Sequence, residues 1–171
     1  MEQGKLYSYC LFCETNKCMA LAQMLPKAMD CRVIYPQQLF HIRINGKVTD
    51  TYRALLPGYL FLYTEDDQID LSAVHLDGII RVLPGSDNSA ALLGNDHQFA
   101  IMLLKNGGVI SKTRVYREGQ QIRIVKGAFS GVSADILKVD RRSLRMQIAL
   151  TFANQAVKTW VEYEIVDDLR E

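Results

Sequence analysis

Hydrophobic and polar positions in the first 106 residues follow strand spacing in some segments and helix spacing in others. Strands are predicted at residues 9–13, 39–44, 56–63 and 79–83. Helices are predicted at residues 15–25, where Thr15 or Asn16 caps the first turn, at 69–74, and at 95–104. Asn45-Gly46 predicts a tight hairpin turn. The pattern indicates an α+β sandwich, in which helices pack on a small, mostly antiparallel sheet.

The second half of the chain carries no helical periodicity. The longest clean alternation in the sequence places on one face Leu144, Met146, Ile148, Leu150 and Phe152. That period of two predicts a half-buried strand, and residues 154–155 turn the chain into another strand at 157–161. Four or five short strands in about 50 residues bury a core by closing on themselves, which predicts a small β-barrel. The β-branched residues favour this barrel over a helical form.

Charge divides the chain at the same place as the pattern. Residues 1–110 carry nine basic and eleven acidic side chains, a net charge of −2, whereas residues 111–171 carry eleven and eight, a net of +3. Asn106-Gly107-Gly108 is typical of a helix end followed by a linker. A length of 171 residues suits two small domains. We therefore expect an N-terminal domain at residues 1–106, a linker at 107–118 and a C-terminal domain at 119–171.

The sequence offers no support for membrane insertion or catalysis. No stretch approaches the roughly 18 consecutive apolar residues of a membrane span, and no secretory signal is visible, so a cytoplasmic protein is expected. His41, His75 and His97 are far apart in the sequence, and the familiar nucleophile, phosphate-loop and metalloprotease motifs do not occur. The expectation is a protein that is not an enzyme and needs no cofactor.

Four cysteines, at positions 10, 13, 18 and 31, leave two interpretations open. Four thiols can hold a zinc ion. However, Cys10 and Cys13 are three residues apart in a predicted strand and point to opposite faces, so they cannot meet at one metal without a turn. The favoured expectation is buried, reduced thiols and no metal site, and disulfides are not expected in a chain without an export signal.

The strand at residues 59–63 is apolar on both faces, with Tyr59, Phe61 and Tyr63 on one side and two leucines on the other. One interpretation is a central strand that helices bury on both sides. The other is that helices cover the leucine side, while part of the aromatic side stays open together with Phe12 from the neighbouring strand. An open aromatic patch of this kind supplies the anchors of a protein–protein contact.

Basic residues are concentrated between residues 112 and 145, where nine Lys and Arg face three acidic residues. Such clusters are often only a solvated face. The functional interpretation is that they neutralise phosphates of a nucleic acid. The cluster consists of Lys112, Arg114, Arg117, Arg123, Lys126, Lys138, Arg141, Arg142 and Arg145.

Three segments, in this order, resemble the NusG family of bacterial transcription elongation factors over nearly the whole chain. They are residues 9–13 with the helix that follows, Leu56-Pro57-Gly58-Tyr59-Leu60-Phe61, and residues 122–131 with Ile136, Val139 and Asp140 beyond them. The second is close to the family's Phe-Pro-Gly-Tyr-Leu-Phe signature. The third resembles the KOW motif that opens a C-terminal SH3-like β-barrel.

The resemblance implies a NusG-type N-terminal α/β sandwich followed by a KOW SH3-like β-barrel. It implies a monomeric factor that binds the clamp helices of bacterial RNA polymerase, suppresses pausing and termination, and makes or breaks no bond itself. The polymerase contact falls on Phe12, Tyr59 and Phe61. Phe152 matches the strand-end aromatic with which such barrels meet a ribosomal or antitermination partner, and a plain core role is its alternative.

Differences from the family pattern suggest a specialised paralogue of the RfaH or LoaP kind. Ser8 stands where a Trp is usual, Ala134 stands at the second Gly of the KOW turn, and the acidic Asp135 follows it. A specialised factor is recruited to particular operons by a nucleic-acid element, and the basic cluster favours a leader RNA hairpin over non-template DNA. The rival hypothesis is a KOW-type RNA-binding or ribosome-associated protein without activity on polymerase.

Overall fold

The computed structural model describes residues 4–85, 89–118, 121–126, 129 and 134–166. The helices in this part of the chain are α1 (Cys18–Ala28) and α2 (Gly94–Lys105), with single 3-10 turns at Thr15–Lys17 and Ser72–Val74. The strands are β1 (Tyr7–Cys13), β2 (Arg32–Ile34), β3 (Gln37–Ile44), β4 (Lys47–Ala54), β5 (Tyr59–Thr64), β6 (Ile79–Leu83), β7 (Val109–Ile110), β8 (Thr113–Glu118), β9 (Gln121–Lys126), β10 (Ala134–Asp140), β11 (Arg145–Phe152) and β12 (Gln155–Val166).

The first sheet has the order β2-β5-β1-β6 and is antiparallel throughout. Successive residues of a strand alternate between the faces of a sheet. Leu60 and Leu62 of β5 therefore lie on the face that α1 covers with Leu21 and Leu25. Phe61 and its neighbours on the opposite face pack with Phe99 and Leu103 of α2. Both faces of this sheet are thus buried.

The second sheet, β4-β3-β7, is dominated by a long hairpin. β3 and β4 pair over their full length, from Gln37 opposite Ala54 to Ile44 opposite Lys47. Asn45 and Gly46 have φ angles of 50° and 79°, the left-handed values that a two-residue type I′ turn requires. Residues 43–50 are all exposed, so the end of this hairpin extends beyond the rest of the molecule.

The third sheet, β10-β11-β12-β8-β9, contains all the described strands after residue 111. Met146, Ile148 and Leu150 of β11 are fully buried, as the alternation predicts. β11 and β12 are joined by Ala153 and Asn154, with φ angles of 46° and 58°. These are again the values of a type I′ turn, which keeps Phe152 paired with Gln155 at the end of the hairpin.

The fold class expected from the sequence is confirmed, because mostly antiparallel sheets and two helices precede a C-terminal unit made of strands. Three local predictions were wrong. The helix predicted at 69–74 is only the turn Ser72–Val74. The Ser72 backbone N–H donates a hydrogen bond to Asp70 Oδ1 at 2.9 Å, and this bond favours a local turn over a helix. The first helix begins at Cys18 after a 3-10 turn, neither Thr15 nor Asn16 caps it, and it continues past Pro26 to Ala28. Leu144 leaves the inner face because it lies in a turn with a φ of 52°.

Two other expected features can only be located in part. Residues 107–118, which were expected to be a linker, contain β7 and β8. Most of the KOW-like loop, at residues 127–128 and 130–133, lies outside the described residues. Neither helix of the described chain is long and apolar enough to cross a membrane.

The cysteines occupy both sides of the first sheet, as their spacing in β1 predicts. Cys10 packs in the cluster that contains Phe61, whereas Cys13 packs with α1 on the opposite face. All four thiols are free, and Cys31 alone among them is not fully buried. Burial raises the pKa of Cys13 to about 12 and that of Cys31 to about 11. Few of these groups are thiolates near neutral pH.

We therefore expect slow thiol labelling of the folded protein. At pH 8, an aromatic disulfide reagent should modify less than one equivalent, mainly Cys31, in the time in which guanidinium-unfolded protein reacts at all four positions. Mass spectrometry of quenched samples identifies the labelled residue. Rapid labelling of Cys10 or Cys13 in the folded protein would contradict their burial in the sheet.

Candidate functional site

The three residues to which a polymerase contact was assigned lie together on the first sheet. We call Phe12, Tyr59 and Phe61 the aromatic patch. Phe12 and Tyr59 are direct partners in the β1–β5 register, and their ring centroids are 5.3 Å apart. Phe61, two residues along β5, lies on the same face. The structure thus brings the predicted set together.

The aromatic patch needs the glycine that precedes it. Gly58 has a φ of 90°, and a Cβ at this position would lie 3.2 Å from the Phe12 ring and 3.2 Å from the Cys13 carbonyl oxygen. The Cys13 backbone N–H donates to the Gly58 carbonyl at 2.7 Å. Only glycine adopts this conformation without strain while letting β5 approach β1 so closely. The Pro-Gly-Tyr segment thereby fixes the start of the aromatic strand.

Phe152, from the far end of β11, packs directly on the aromatic patch. Its ring centroid is 5.4 Å from that of Tyr59 and 5.9 Å from that of Phe61. Phe99 of α2 completes the cluster at 6.0 Å from Phe152. Phe61 is 0% exposed and Phe152 is 1% exposed, while Phe12 and Tyr59 are half-buried. The aromatic side of the sheet is therefore covered, partly by α2 and partly by the C-terminal sheet.

The turn after Phe152 is held by the N-terminal half of the chain. Ala153 is fully buried, and its backbone N–H faces the Asp96 carboxylate. Burial raises the pKa of Asp96, and the Ala153 N–H partly offsets this rise. Asn154 Nδ2 lies 3.4 Å from the carbonyl oxygen of Gly85. The β11–β12 turn thus packs against residues 85 and 96 of the N-terminal half.

A second set of contacts joins β12 to β3. Gln38 Nε2 donates to the carbonyl oxygen of Trp160 at 2.6 Å. The His41 backbone N–H donates to Glu162 Oε1 at 3.0 Å, and His41 Nδ1 lies 3.1 Å from Glu162 Oε2. Glu162 is only 6% exposed, so this carboxylate depends on these partners and on Arg145 Nη2 at 3.9 Å. The backbone N–H of His41 is thereby closed to other strands.

Phe40 links the hairpin to the basic cluster. The guanidinium of Arg145 lies 4.8 Å from the centroid of the Phe40 ring, and that of Arg53 lies 5.2 Å from it. Cation–π contacts of this kind are worth roughly 0.5–2 kcal/mol, depending on desolvation. Arg145, assigned to nucleic-acid binding from the sequence, is therefore partly buried and holds the two halves of the chain together.

The other basic residues of the cluster spread over two regions. Lys138, Arg141 and Arg142 are exposed at the β10–β11 turn, where Asp140 Oδ1 accepts the backbone N–H groups of Arg142 and Ser143 at 3.0 and 3.2 Å. Lys112, Arg114 and Arg117 lie at or before β8, and Arg114 pairs with Glu164 at 3.1 Å. Arg123 and Lys126 belong to β9, and their side chains lie outside the described part of the structure.

Several residues of this junction received no role from sequence patterns. Phe40, Phe99 and Glu162 were given no role, and His41 was considered only as one of three histidines that are far apart in the sequence. Glu162 gave no signal, because it alternates with Val161 and Tyr163 as an outward-facing charge of a half-buried strand does. Its partner could not be inferred, because His41 is 121 residues away.

Aromatic rings and the side chains of Lys and Arg make up most of the site. Within the described residues, no group of three or more His, Cys, Asp or Glu side chains is placed to hold a metal ion. Ser8 Oγ lies 2.7 Å from His97 Nδ1, and burial lowers the pKa of His97. Among the described residues, no Asp or Glu side chain forms a hydrogen bond with the His97 ring of this pair. The features that stand out are apolar aromatic area and exposed positive charge.

Comparison with known proteins agrees with this architecture. The chain is 28% identical over 143 residues to the transcription termination/antitermination protein NusG of Treponema pallidum, which covers 77% of this chain and 75% of that protein. Its fold matches a structure described as domain interaction in Thermotoga maritima NusG, with a TM-score of 0.58, 14% identity, and coverage of 92% of this chain and 94% of that one. No protein-family model matches the chain.

The sequence match over most of both chains and the Leu-Pro-Gly-Tyr-Leu-Phe segment at the start of β5 make the chain similar in sequence to NusG of Treponema pallidum, and its fold is similar to that of Thermotoga maritima NusG.

Proposed function

We propose that this protein is a cytoplasmic, monomeric transcription elongation and antitermination factor that acts on bacterial RNA polymerase without catalysing a reaction. An N-terminal domain at residues 1–106 binds the clamp helices, and a KOW domain at 119–171 follows a linker at 107–118. The observation that carries the proposal is the aromatic patch, which gathers Phe12, Tyr59 and Phe61 on one face beside the family-like Pro-Gly-Tyr turn. Similarity in sequence to NusG supports the same function.

The packing of Phe152 adds a condition to this function. Phe61 is fully buried, so a polymerase helix cannot contact it while Phe152 lies on it. We call the arrangement in which Phe152 covers the aromatic patch the closed form. In this proposal, the C-terminal sheet must move away before polymerase binds, because the closed form occupies the same rings. Each aromatic pair contributes roughly 0.5–1.5 kcal/mol beyond area burial. In the proposal, binding to polymerase supplies enough free energy to separate Phe152 from Tyr59 and Phe61.

Recruitment to particular operons is the second part of the proposal. The exposed cations of the β10–β11 turn, with those near β8, bind phosphates of a leader RNA hairpin as it emerges from polymerase. The Asp140 carboxylate is engaged by backbone N–H groups of the turn, where Arg141 and Arg142 remain exposed. Once open, Phe152 is available to a ribosomal or antitermination partner.

A second candidate function is that of an RNA-binding or ribosome-associated KOW protein. The exposed, basic β10–β11 turn favours it, because that surface needs no polymerase. The two functions differ in whether the aromatic patch has a partner.

Transcription through a terminator tests the proposed function directly. Adding the protein to halted elongation complexes on a template from its own operon should increase readthrough and shorten pauses. The Tyr59→Ala, Phe61→Ala double variant should lose this effect. Circular dichroism must confirm its fold, because truncating a buried aromatic costs about 3–5 kcal/mol. Equal readthrough with and without the wild-type protein on such templates would refute an antitermination role.

Removing Phe152 from the aromatic patch should increase the amount of core polymerase that the protein captures. Phe152→Ser removes the ring that covers Phe61, so we expect core polymerase to be captured several-fold more strongly than by wild type. Trp160, the single tryptophan, should shift its emission to longer wavelength as β12 leaves β3. Leu137→Ser, at an exposed apolar position of β10, is the matched control and should change neither signal. Stronger capture by the control than by Phe152→Ser would contradict competition at the patch.

RNA binding should depend on the β10–β11 turn. Replacing Lys138, Arg141 and Arg142 by Gln, while keeping Arg145 because it packs on Phe40, should weaken binding of a labelled leader RNA hairpin. It should also flatten the dependence of the dissociation constant on salt by up to about two to three in logarithmic slope. Filter binding from about 50 to 200 mM salt measures both quantities. An unchanged slope would leave these cations as a solvated face.

A further inference from the structure

The imidazole of His41 lies between two carboxylates that belong to different halves of the chain. Its Nδ1 is 3.1 Å from Glu162 Oε2 on β12, and its Nε2 is 3.7 Å from Asp50 Oδ1 on β4. His41 and Asp50 are direct partners in the β3–β4 register, whereas Glu162 reaches the ring from the C-terminal sheet. Each ring nitrogen therefore faces a negatively charged acceptor.

A neutral imidazole cannot serve both of these carboxylates. In the neutral ring, one nitrogen carries a proton and the other carries a lone pair, so one carboxylate faces a lone pair. The protonated ring carries an N–H on both nitrogens together with a positive charge. It can donate to Glu162 and attract Asp50 at the same time, and hydrogen bonds between charged partners are the stronger kind. The surroundings of His41 thus fit the imidazolium form better than the neutral form.

The burial of Glu162 makes this difference large enough to matter. The residue is 6% exposed, and Oε1 accepts the His41 backbone N–H at 3.0 Å, which leaves Oε2 to the imidazole. Arg145 Nη2 lies 3.9 Å from Oε1, which is beyond hydrogen-bond length. A buried carboxylate is costly without charged partners, so loss of the proton from His41 weakens the contact between β3 and β12.

Other charged groups near the junction act in the opposite direction. Arg145 shares the carboxylate of Glu162, and Arg43 follows two residues along β3, so both disfavour a proton on the ring. Arg145 approaches the oxygen that the imidazole does not use, and Arg43 is exposed to solvent, which screens its charge. Burial raises the pKa of Asp96, and its protonation would weaken the acceptor that faces the Ala153 N–H. The two carboxylates at the ring nitrogens are the groups in direct contact.

We propose that His41, Glu162 and Asp50 form a pH-sensitive latch that holds the closed form. Protonation of His41 and closure favour each other, because Glu162 leaves the ring when the C-terminal sheet moves away. The latch tightens as the pH falls through the range in which imidazoles titrate, about pH 8 to 5, and loosens as the pH rises through it. This device acts within the chain and needs no polymerase, so it goes beyond the proposed function.

Hydrogen exchange of the His41 backbone N–H measures the latch in the full-length protein without polymerase. This N–H donates to Glu162, so its protection factor reports how often β12 leaves β3. Between about pH 7.5 and 6 the protection factor should rise roughly fivefold, since a hydrogen bond to a charged group is stronger than a neutral one. Protection factors already allow for the intrinsic effect of pH on exchange. The N–H groups of β3 that bond to β4 are internal controls and should change less than twofold.

Two variants separate the latch from general effects of pH. Glu162→Gln keeps an oxygen that accepts the N–H of residue 41 but removes the charge, so the rise in protection on acidification should disappear. His41→Asn keeps the backbone N–H and removes the titrating ring, with the same expected loss. His75→Gln, the matched control, changes an exposed histidine that follows the turn Ser72–Val74 and should respond like wild type.

Three results would overturn the proposal. The first is a protection factor of the wild-type His41 N–H that does not rise on acidification. The second is a wild-type response in either Glu162→Gln or His41→Asn, which would assign the pH dependence to another group such as Asp96. The third is loss of the response in His75→Gln. Because no polymerase is present, none of these results bears on the transcription assay of the proposed function.

Discussion

The packing of one side chain, Phe152, on the aromatic patch organises the arrangement of this molecule. The ring enters a space bounded by Tyr59, Phe61 and Phe99, which come from a strand and a helix of the N-terminal half. Phe61, Phe152 and Ile148 belong to one apolar cluster that includes residues of both halves of the chain. The hydrogen bonds from Gln38, His41 and Asn154 also hold the β11–β12 hairpin against the N-terminal half, with Phe152 on the aromatic patch.

The polar contacts around that ring have a different physical role. A carboxylate that is 6% exposed, such as that of Glu162, is costly without partners, and here its main partners come from His41 on the other half of the chain. Gln38 and Asp96 likewise bind backbone groups of the C-terminal sheet. Hydrogen bonds of this type add little net stability but strongly penalise a wrong alignment. They specify how the halves meet, whereas the aromatic rings supply the attraction.

The same arrangement links the protein's proposed activities. The residues suited to grip polymerase are those that hold the C-terminal sheet, so one surface can serve only one partner at a time. The cations of the β10–β11 turn remain exposed in the closed form. In the proposed function, nucleic acid binds these cations before the C-terminal sheet moves away from the aromatic patch.

Much of the architecture could be predicted from the sequence because it depends on local periodicity. The Asn45-Gly46 turn, the two-faced strand at Tyr59 and the alternation that ends at Phe152 each reflect spacing along the chain. These patterns could not determine which face of one element packs against which face of another. Whether the aromatic face of β5 lies open, and whether Phe152 serves a partner or a core, depends on contacts between residues about ninety positions apart. The roles of Arg145 and Glu162 likewise follow from neighbours brought together only by the tertiary structure, since burial and charge pairing are properties of three-dimensional packing.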